Sequence, residues 1–292
     1  MRSIYLLFFA LFTLTVSNAQ DTISRSFIPL QHYVKLGKPL TKQDTLNFRF
    51  KGEDTLVMVP GNFMETLYDD KVWVEYEPKD SLFLEIYKDV VYGKPNSATR
   101  ESEIMKYWKE DIKVYFDPSV PTPHQNYLLS FANKIAADID SLNISRVNTL
   151  EESNYHIYYL TEEHNVDHDP RINNNPGGYY VSWKNHQIYN GSLKINTSYA
   201  VKDDHQLQLL THYFIGSLGY FKSSDNLECE SYLSSCRNYR KLTQMDLEIL
   251  KYHYSYGICK NVNIEDFENM HTRMQNSLLE DPNAKLYVIH QK

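Results

Sequence analysis

What the chain lacks narrows its class before any motif is considered. It has three cysteines in 292 residues, an odd number that permits at most one intrachain disulfide. Cys229 and Cys236 are close enough to close a small loop, and Cys259 offers an alternative partner to either. The Cys-x6-Cys spacing does not suit a thiolate zinc knuckle. There is no excess of basic residues: the formal net charge is −7, so nothing suggests the basic face that nucleic-acid binding requires. Beyond the N-terminus no segment is apolar for long enough to cross a bilayer, and the mean hydropathy is −0.52. No nucleophile elbow, phosphate loop, EF-hand spacing or internal repeat occurs.

What is there begins with a leader. Arg2 precedes an apolar run from Ile4 to Val16, followed by Ser17-Asn18-Ala19 ahead of Gln20. A positive start, a short apolar core and small residues at the end are the layout of a cleavable secretory signal over residues 1–19. The run is too short for a bilayer-spanning helix, so the mature chain is expected to be secreted or periplasmic, with no transmembrane anchor. The 24 tyrosines favour strand-rich, half-buried surfaces, and would equally suit stacking surfaces for glycans or peptides.

Residues 20–98 read as a β-rich N-terminal region. Leu46 to Phe50 and Thr55 to Val59 alternate around Lys51-Gly52-Glu53-Asp54, and Val72, Val74, Tyr76 and Leu82, Leu84, Ile86 alternate around a turn at 77–80. A second region covers residues 104–260, with a C-terminal extension over 261–292. Ile112, Val114 and Phe116 predict a strand. Thr122-Pro123-His124-Gln125 predicts a capped helix start, and Leu128, Phe131, Ile135, Ile139 and Leu142 continue it at spacings of three and four. Strands are predicted at Asn154–Leu160, Gly177–Trp183 and Ile188–Ile195. Helices follow over Asp203–Leu218 and Thr243–Tyr254, the latter opened by a Thr243/Asp246 capping box.

Strand, long helix, strand, edge strand, strand and a helix ending in Leu-Gly is an order that resembles the zincin metallopeptidases. The segment from Thr211 to Lys222, T-H-Y-F-I-G-S-L-G-Y-F-K, is similar to their signature H-E-x-x-H-x-L-G. On that alignment His212 matches the first zinc ligand, Tyr213 stands in place of the glutamate base, Gly216 in place of the second ligand, and Lys222 in place of a third. Leu242-Thr243-Gln244-Met245-Asp246-Leu247 resembles the closing helix of matrixin-like members, and Trp108 with Ile112-Lys113-Val114 resembles the opening strand of a bacterial zincin-like family. The resemblance implies an α+β zincin-like domain with a mixed sheet, a long backing helix, a degenerate active-site helix and a closing C-terminal helix.

The substitutions decide what the resemblance implies for chemistry. Residues four apart on a helix lie side by side, so two histidines can grip one zinc while an adjacent glutamate activates its water. Glycine offers no donor, and a phenol with pKa about 10 is a poor base near neutrality. His205 shares a face with His212, but seven residues along a helix is about 10.5 Å, too far for one ion. The chain is therefore read as a catalytically inactive relative that binds peptides or proteins, with Leu207, Leu210, Phe214 and Leu218 in the core and His212 and Gly216 turned to a groove. The alternatives are an active secreted zinc peptidase using unconventional ligands with His212, and a structural or adhesion module. A polar loop from Glu162 to Asp169 adds weak metal candidates in His164, Asp167, His168 and Asp169.

Overall fold

The structure, a computed structural model, describes residues 25–35, 39–52, 54–61, 63, 71–237 and 239–291. The expected leader, residues 1–19, lies outside them. The chain divides into two compact units at residue 71.

In the first unit, β1 (Arg25–Pro29) leads into two short helices, α1 (Leu30–Lys35) and α2 (Lys42–Leu46), followed by β2 (Arg49–Lys51) and β3 (Asp54–Pro60). The three strands form an antiparallel sheet in the order β1-β3-β2. Phe50 faces Thr55 and Lys51 faces Asp54, so the expected hairpin around Gly52 is present, with Gly52 at φ 62°. Leu46 belongs to α2 rather than to the strand, because Thr41 and Asp44 form a capping box that starts a helix turn there. The core is small: Val57, Val59 and Tyr33 with Ile28, Leu30, Phe48 and Phe63 around them.

The second unit starts with β4 (Lys71–Glu75), whose expected hairpin partner is absent. Residues 81–92 instead form α3 (Ser81–Tyr92). Asp80 caps it by accepting a hydrogen bond from the Phe83 amide at 2.9 Å. Leu84 and Ile86 fit period two, but Phe83, Tyr87, Val90 and Val91 are buried as well while Leu82 is exposed, a helical pattern of burial. β4 pairs with the last strand, β11 (Tyr287–Gln291). The stretch after residue 71, expected to close the N-terminal region, thus packs with the C-terminal segment. That segment is no loose extension, since Ile264, Phe267, Met270 and Val288 sit in the main core.

β5 (Tyr107–Trp108), β6 (Ile112–Phe116), α4 (Thr122–Ala136), β7 (Ile144–Arg146), β8 (Tyr155–Leu160), β9 (Gly177–Lys184) and β10 (Gln187–Asn196) follow in chain order. They make one mixed sheet. β10 runs parallel to β8, β8 to β6 and β6 to β7, while β9 pairs antiparallel with β10 from Gly177 to Lys184. Two long helices pack on this unit's core, α4 and α5 (Asp203–Gly219), joined later by α6 (Gln244–Tyr254) and α7 (Ile264–Glu280). The architecture is mixed α/β.

α4 starts at Thr122, one residue before its expected first turn, because Pro121 occupies the cap position and supplies no side-chain bond. Gln125 donates to the Val120 carbonyl at 2.8 Å instead of closing a capping box. The helix stops at Ala136, although Ile139 and Leu142 beyond it remain buried. The capping box of Thr243 and Asp246 forms as expected, and the Asp246 carboxylate also accepts bonds from the Ser231 hydroxyl and the Tyr232 and Leu233 amides.

Many of the tyrosines are core material, although others, such as Tyr189 and Tyr199, are exposed. Tyr87, Tyr92, Tyr155, Tyr158, Tyr159 and Tyr232 are almost fully buried. Burying a hydroxyl without a partner costs about 1–3 kcal/mol, so several of these sites pair it with an imidazole or a carbonyl. Tyr87 Oη lies 3.1 Å from His253 Nδ1, and His253 Nε2 lies 2.9 Å from the Lys106 carbonyl. A carbonyl only accepts, so His253 carries its proton on Nε2 and Nδ1 accepts from Tyr87.

Candidate functional site

α5 forms over Asp203–Gly219, with two aspartates in its first turn and Tyr220 in the left-handed region at φ 54° terminating it. Leu210, Phe214 and Leu218 are fully buried, as the spacing predicts, while Leu207 at the start of the stripe is only half-buried. Beyond His205 the opposite stripe, expected to face a groove, is also largely covered. Leu209 is 8 % exposed and Gly216 is buried. His205, in the first turn, is exposed and shares no ligand geometry with His212.

The space beside Gly216 is filled. A Cβ on Gly216 would lie 2.8 Å from Cε1 of Tyr179, a β9 residue whose hydroxyl donates to the Phe221 carbonyl at 3.2 Å. The phenol ring thus fills the volume into which a second ligand would extend. His212 donates from Nδ1 to the Tyr232 carbonyl at 2.9 Å, leaving the lone pair on Nε2. That tautomer would suit a metal ligand. Its surroundings do not: burial, then the nearby Arg240 guanidinium, hold His212 down to about 4, and the same guanidinium repels a cation. Tyr213 is pushed above its ordinary range by burial and stays a neutral phenol.

Lys222 is engaged elsewhere. Its ammonium donates to Glu103 Oε2 at 3.0 Å, to the Tyr220 carbonyl at 3.1 Å and to the Val91 carbonyl at 3.4 Å. Burial lowers it to about 8 although Glu103 opposes the shift. The segment after α5 is clasped by the Cys229–Cys236 disulfide, leaving Cys259 free. The residues at the four motif positions therefore do not fit a zinc ion.

The sheet's other face has a different character. Tyr155 donates its hydroxyl to Ser217 Oγ at 2.7 Å and its ring meets Phe214 edge-on, so odd positions of β8 face α5. His156 and Tyr158 accordingly point the other way. The loop from Thr161 to Pro176 meets them through its own polar groups. Tyr158 donates to Asp167 Oδ1 at 2.6 Å and accepts from the Asp169 amide at 2.9 Å. Buried Lys194, from β10, donates to Asp167 Oδ2 at 2.9 Å, and Arg171 grips Asp169 through two bonds of 2.7 and 2.9 Å. Asp167 and Asp169, weak metal candidates from sequence, are thus consumed by protein cations. Burial alone would raise both carboxyls, yet these bonds hold them below the usual range.

Of the loop's two candidate imidazoles, His164 is exposed and lines a hollow of about 450 Å³ with Pro118, Ser119, Pro121, Thr161, Glu162 and Glu163. His168 is exposed as well, but its ring packs against His156 and Tyr158, with centroids 5.0 Å from each. Its Nε2 is 3.6 Å from Asp117 Oδ2, and the same oxygen is 4.0 Å from His156 Nε2. One donor atom from each of Asp117, His156 and His168 lies within 4.8 Å of the others. Burial, then His168 beside it, lowers His156 to about 4. His156 Nε2 is buried with no hydrogen-bond partner. Neither Asp117 nor His156 stands out in the sequence. The available signal was a polar residue at an alternate strand position, opposite the apolar stripe.

Among the described residues no helix is long and apolar enough to cross a membrane. No family model matches the chain, and no curated protein matches it in sequence.

Proposed function

We propose that the chain is an exported, non-catalytic protein built on the zincin plan, which binds extended polypeptide along the outer edge of β9. The leader pattern of residues 1–19 supports export. The order of β6, α4, β8, β9, β10 and α5, with an antiparallel edge strand preceding the strand that leads to the His212 helix, supports the zincin plan. The observation that carries the non-catalytic reading is the Tyr179 ring packed against Gly216, where a metal ligand would have to stand.

Binding rests on β9 itself. Among the described residues it pairs only with β10, so its second row of backbone donors and acceptors has no strand partner. An added strand satisfies such a row without a metal. Tyr180 and Trp183 are 37 % and 39 % exposed on this strand, and although Arg171 and Lys106 each cover part of one ring, the exposed parts offer apolar contacts for a ligand's side chains. Trp183 is also the reporter among the chain's three tryptophans: titrating the protein with a library of extended peptides should shift its fluorescence saturably for some sequences, a shift lost in Trp183→Phe, with no peptide cleaved. A library that leaves Trp183 unchanged at high micromolar concentration refutes the binding reading.

A further inference from the structure

We propose that Asp117, His156 and His168 form a binding site for one borderline divalent transition metal, of the zinc or cobalt class. This site lies on the sheet face opposite the His212 helix and is independent of the zincin reading. Its three donors come from three separate segments: the residue after β6, the second residue of β8 and the polar loop. Such convergence from distant parts of the chain is not what a random charged surface produces.

The geometry suits a metal better than it suits the protein alone. Four ligands at about 2.0–2.1 Å around zinc lie about 3.4 Å from each other. The pairs at 3.6 and 4.0 Å are close to that spacing, and too long for good hydrogen bonds. An imidazole nitrogen buried without a partner is costly, and His156 Nε2 is such an atom. A cation between the rings and the carboxylate would satisfy it.

The surrounding contacts orient the donors. Asp117 accepts the Ser119 amide on Oδ1 at 2.8 Å, which leaves Oδ2 directed at both imidazoles. Such outer hydrogen bonds are what fix a ligating carboxylate. Tyr115 and Tyr158 flank the rings, with centroids 5.5 and 5.3 Å from His156. The surroundings differ from those of His212, where the nearby charge is the Arg240 guanidinium, whereas His156 faces the second imidazole, His168, and the Asp117 carboxylate. Two imidazoles with one carboxylate favour zinc, cobalt, nickel or copper over calcium, which takes six or more oxygens. Three protein ligands leave one coordination position open.

The test uses the untagged full-length mature protein, titrated with Zn²⁺ by calorimetry and with Co²⁺ by visible absorption, with Ca²⁺ as a comparison. One equivalent of Zn²⁺ should bind, Co²⁺ should give the d–d bands of a low-coordinate nitrogen–oxygen site, and Ca²⁺ should not bind. His168→Gln, at an exposed position, should weaken Zn²⁺ at least tenfold with an unchanged urea midpoint, and Asp117→Asn should weaken it likewise. His212→Ala should leave the affinity unchanged. Absence of stoichiometric Zn²⁺ and Co²⁺ binding, binding that survives His168→Gln, or binding lost with His212→Ala would each overturn the proposal.

Discussion

The two faces of the main sheet carry histidines in opposite circumstances. On the α5 side His212 has a donor bond to a carbonyl, a guanidinium beside it and a glycine one turn on, filled by Tyr179. On the loop side His156 has an unpartnered nitrogen directed at a carboxylate and a second imidazole. The residue that resembles a metal ligand by sequence is thus packed as a structural element, and residues with no motif around them are arranged as donors. A side chain's chemistry follows from what faces it, and a motif is informative only when its partners survive.

The largest effect should come from forcing the closed side open. Gly→Ala inside a helix ordinarily gains about 1 kcal/mol. At Gly216 the added Cβ would meet the half-buried Tyr179 ring, tied to the Phe221 carbonyl, at 2.8 Å, so the clash should win. Gly216→His, which places an imidazole one turn after His212, should destabilise by about 3 kcal/mol, read from urea unfolding. It should confer no zinc binding, even combined with Tyr213→Glu and Lys222→His. A stable triple variant that binds zinc at His212 would break the contrast between the faces.

The histidines behind the closed side sharpen it through pH. Burial, then the nearby Lys260, depresses His253 to about 3, and burial holds His271 at about 4. Unfolding returns both to about 6.5. Between those values the unfolded chain binds protons that the folded one does not, so stability rises with pH across this window and is lost on acidification. From pH 7 to 5 His253 alone should cost about 2 kcal/mol, seen as a lower urea midpoint. A midpoint that does not move over this range would mean that these rings are hydrated.

The smallest effect belongs to the loop side. Tyr158→Phe removes the hydroxyl that donates to Asp167 and accepts from the Asp169 amide, and should cost about 1 kcal/mol. Its effect should be local, with faster amide exchange in residues 161–176 and unchanged exchange in α5. Equal loosening of both faces would show that they are not separable.

How much of this was legible in the sequence follows from how local each cause is. The strand at Ile112–Phe116, the α5 stripe of Leu210, Phe214 and Leu218, and the Thr243/Asp246 capping box depend on neighbours within a few residues, and the structure has them. α3 was misread because Leu82, Leu84 and Ile86 fit a period of two over a short run, while the Asp80 cap and the buried Tyr87 and Val91 that decide the matter lie outside it. The β4–β11 pairing joins opposite ends of the second unit, beyond any local pattern. Likewise the groove expected beside His212 was closed by Tyr179, a residue of another strand. His168 was visible as a candidate, but its partners Asp117 and His156 are hidden in strand patterns and meet it only through the fold.

The central claim is that the His212 side does no zinc chemistry. The most direct measurement is cleavage of a quenched fluorescent peptide library by the mature protein in added zinc, with and without a chelator, for wild type, His212→Ala and His168→Gln. The account requires no chelator-sensitive cleavage in any of the three. Cleavage that the chelator abolishes and zinc restores, lost in His212→Ala and kept in His168→Gln, would contradict it.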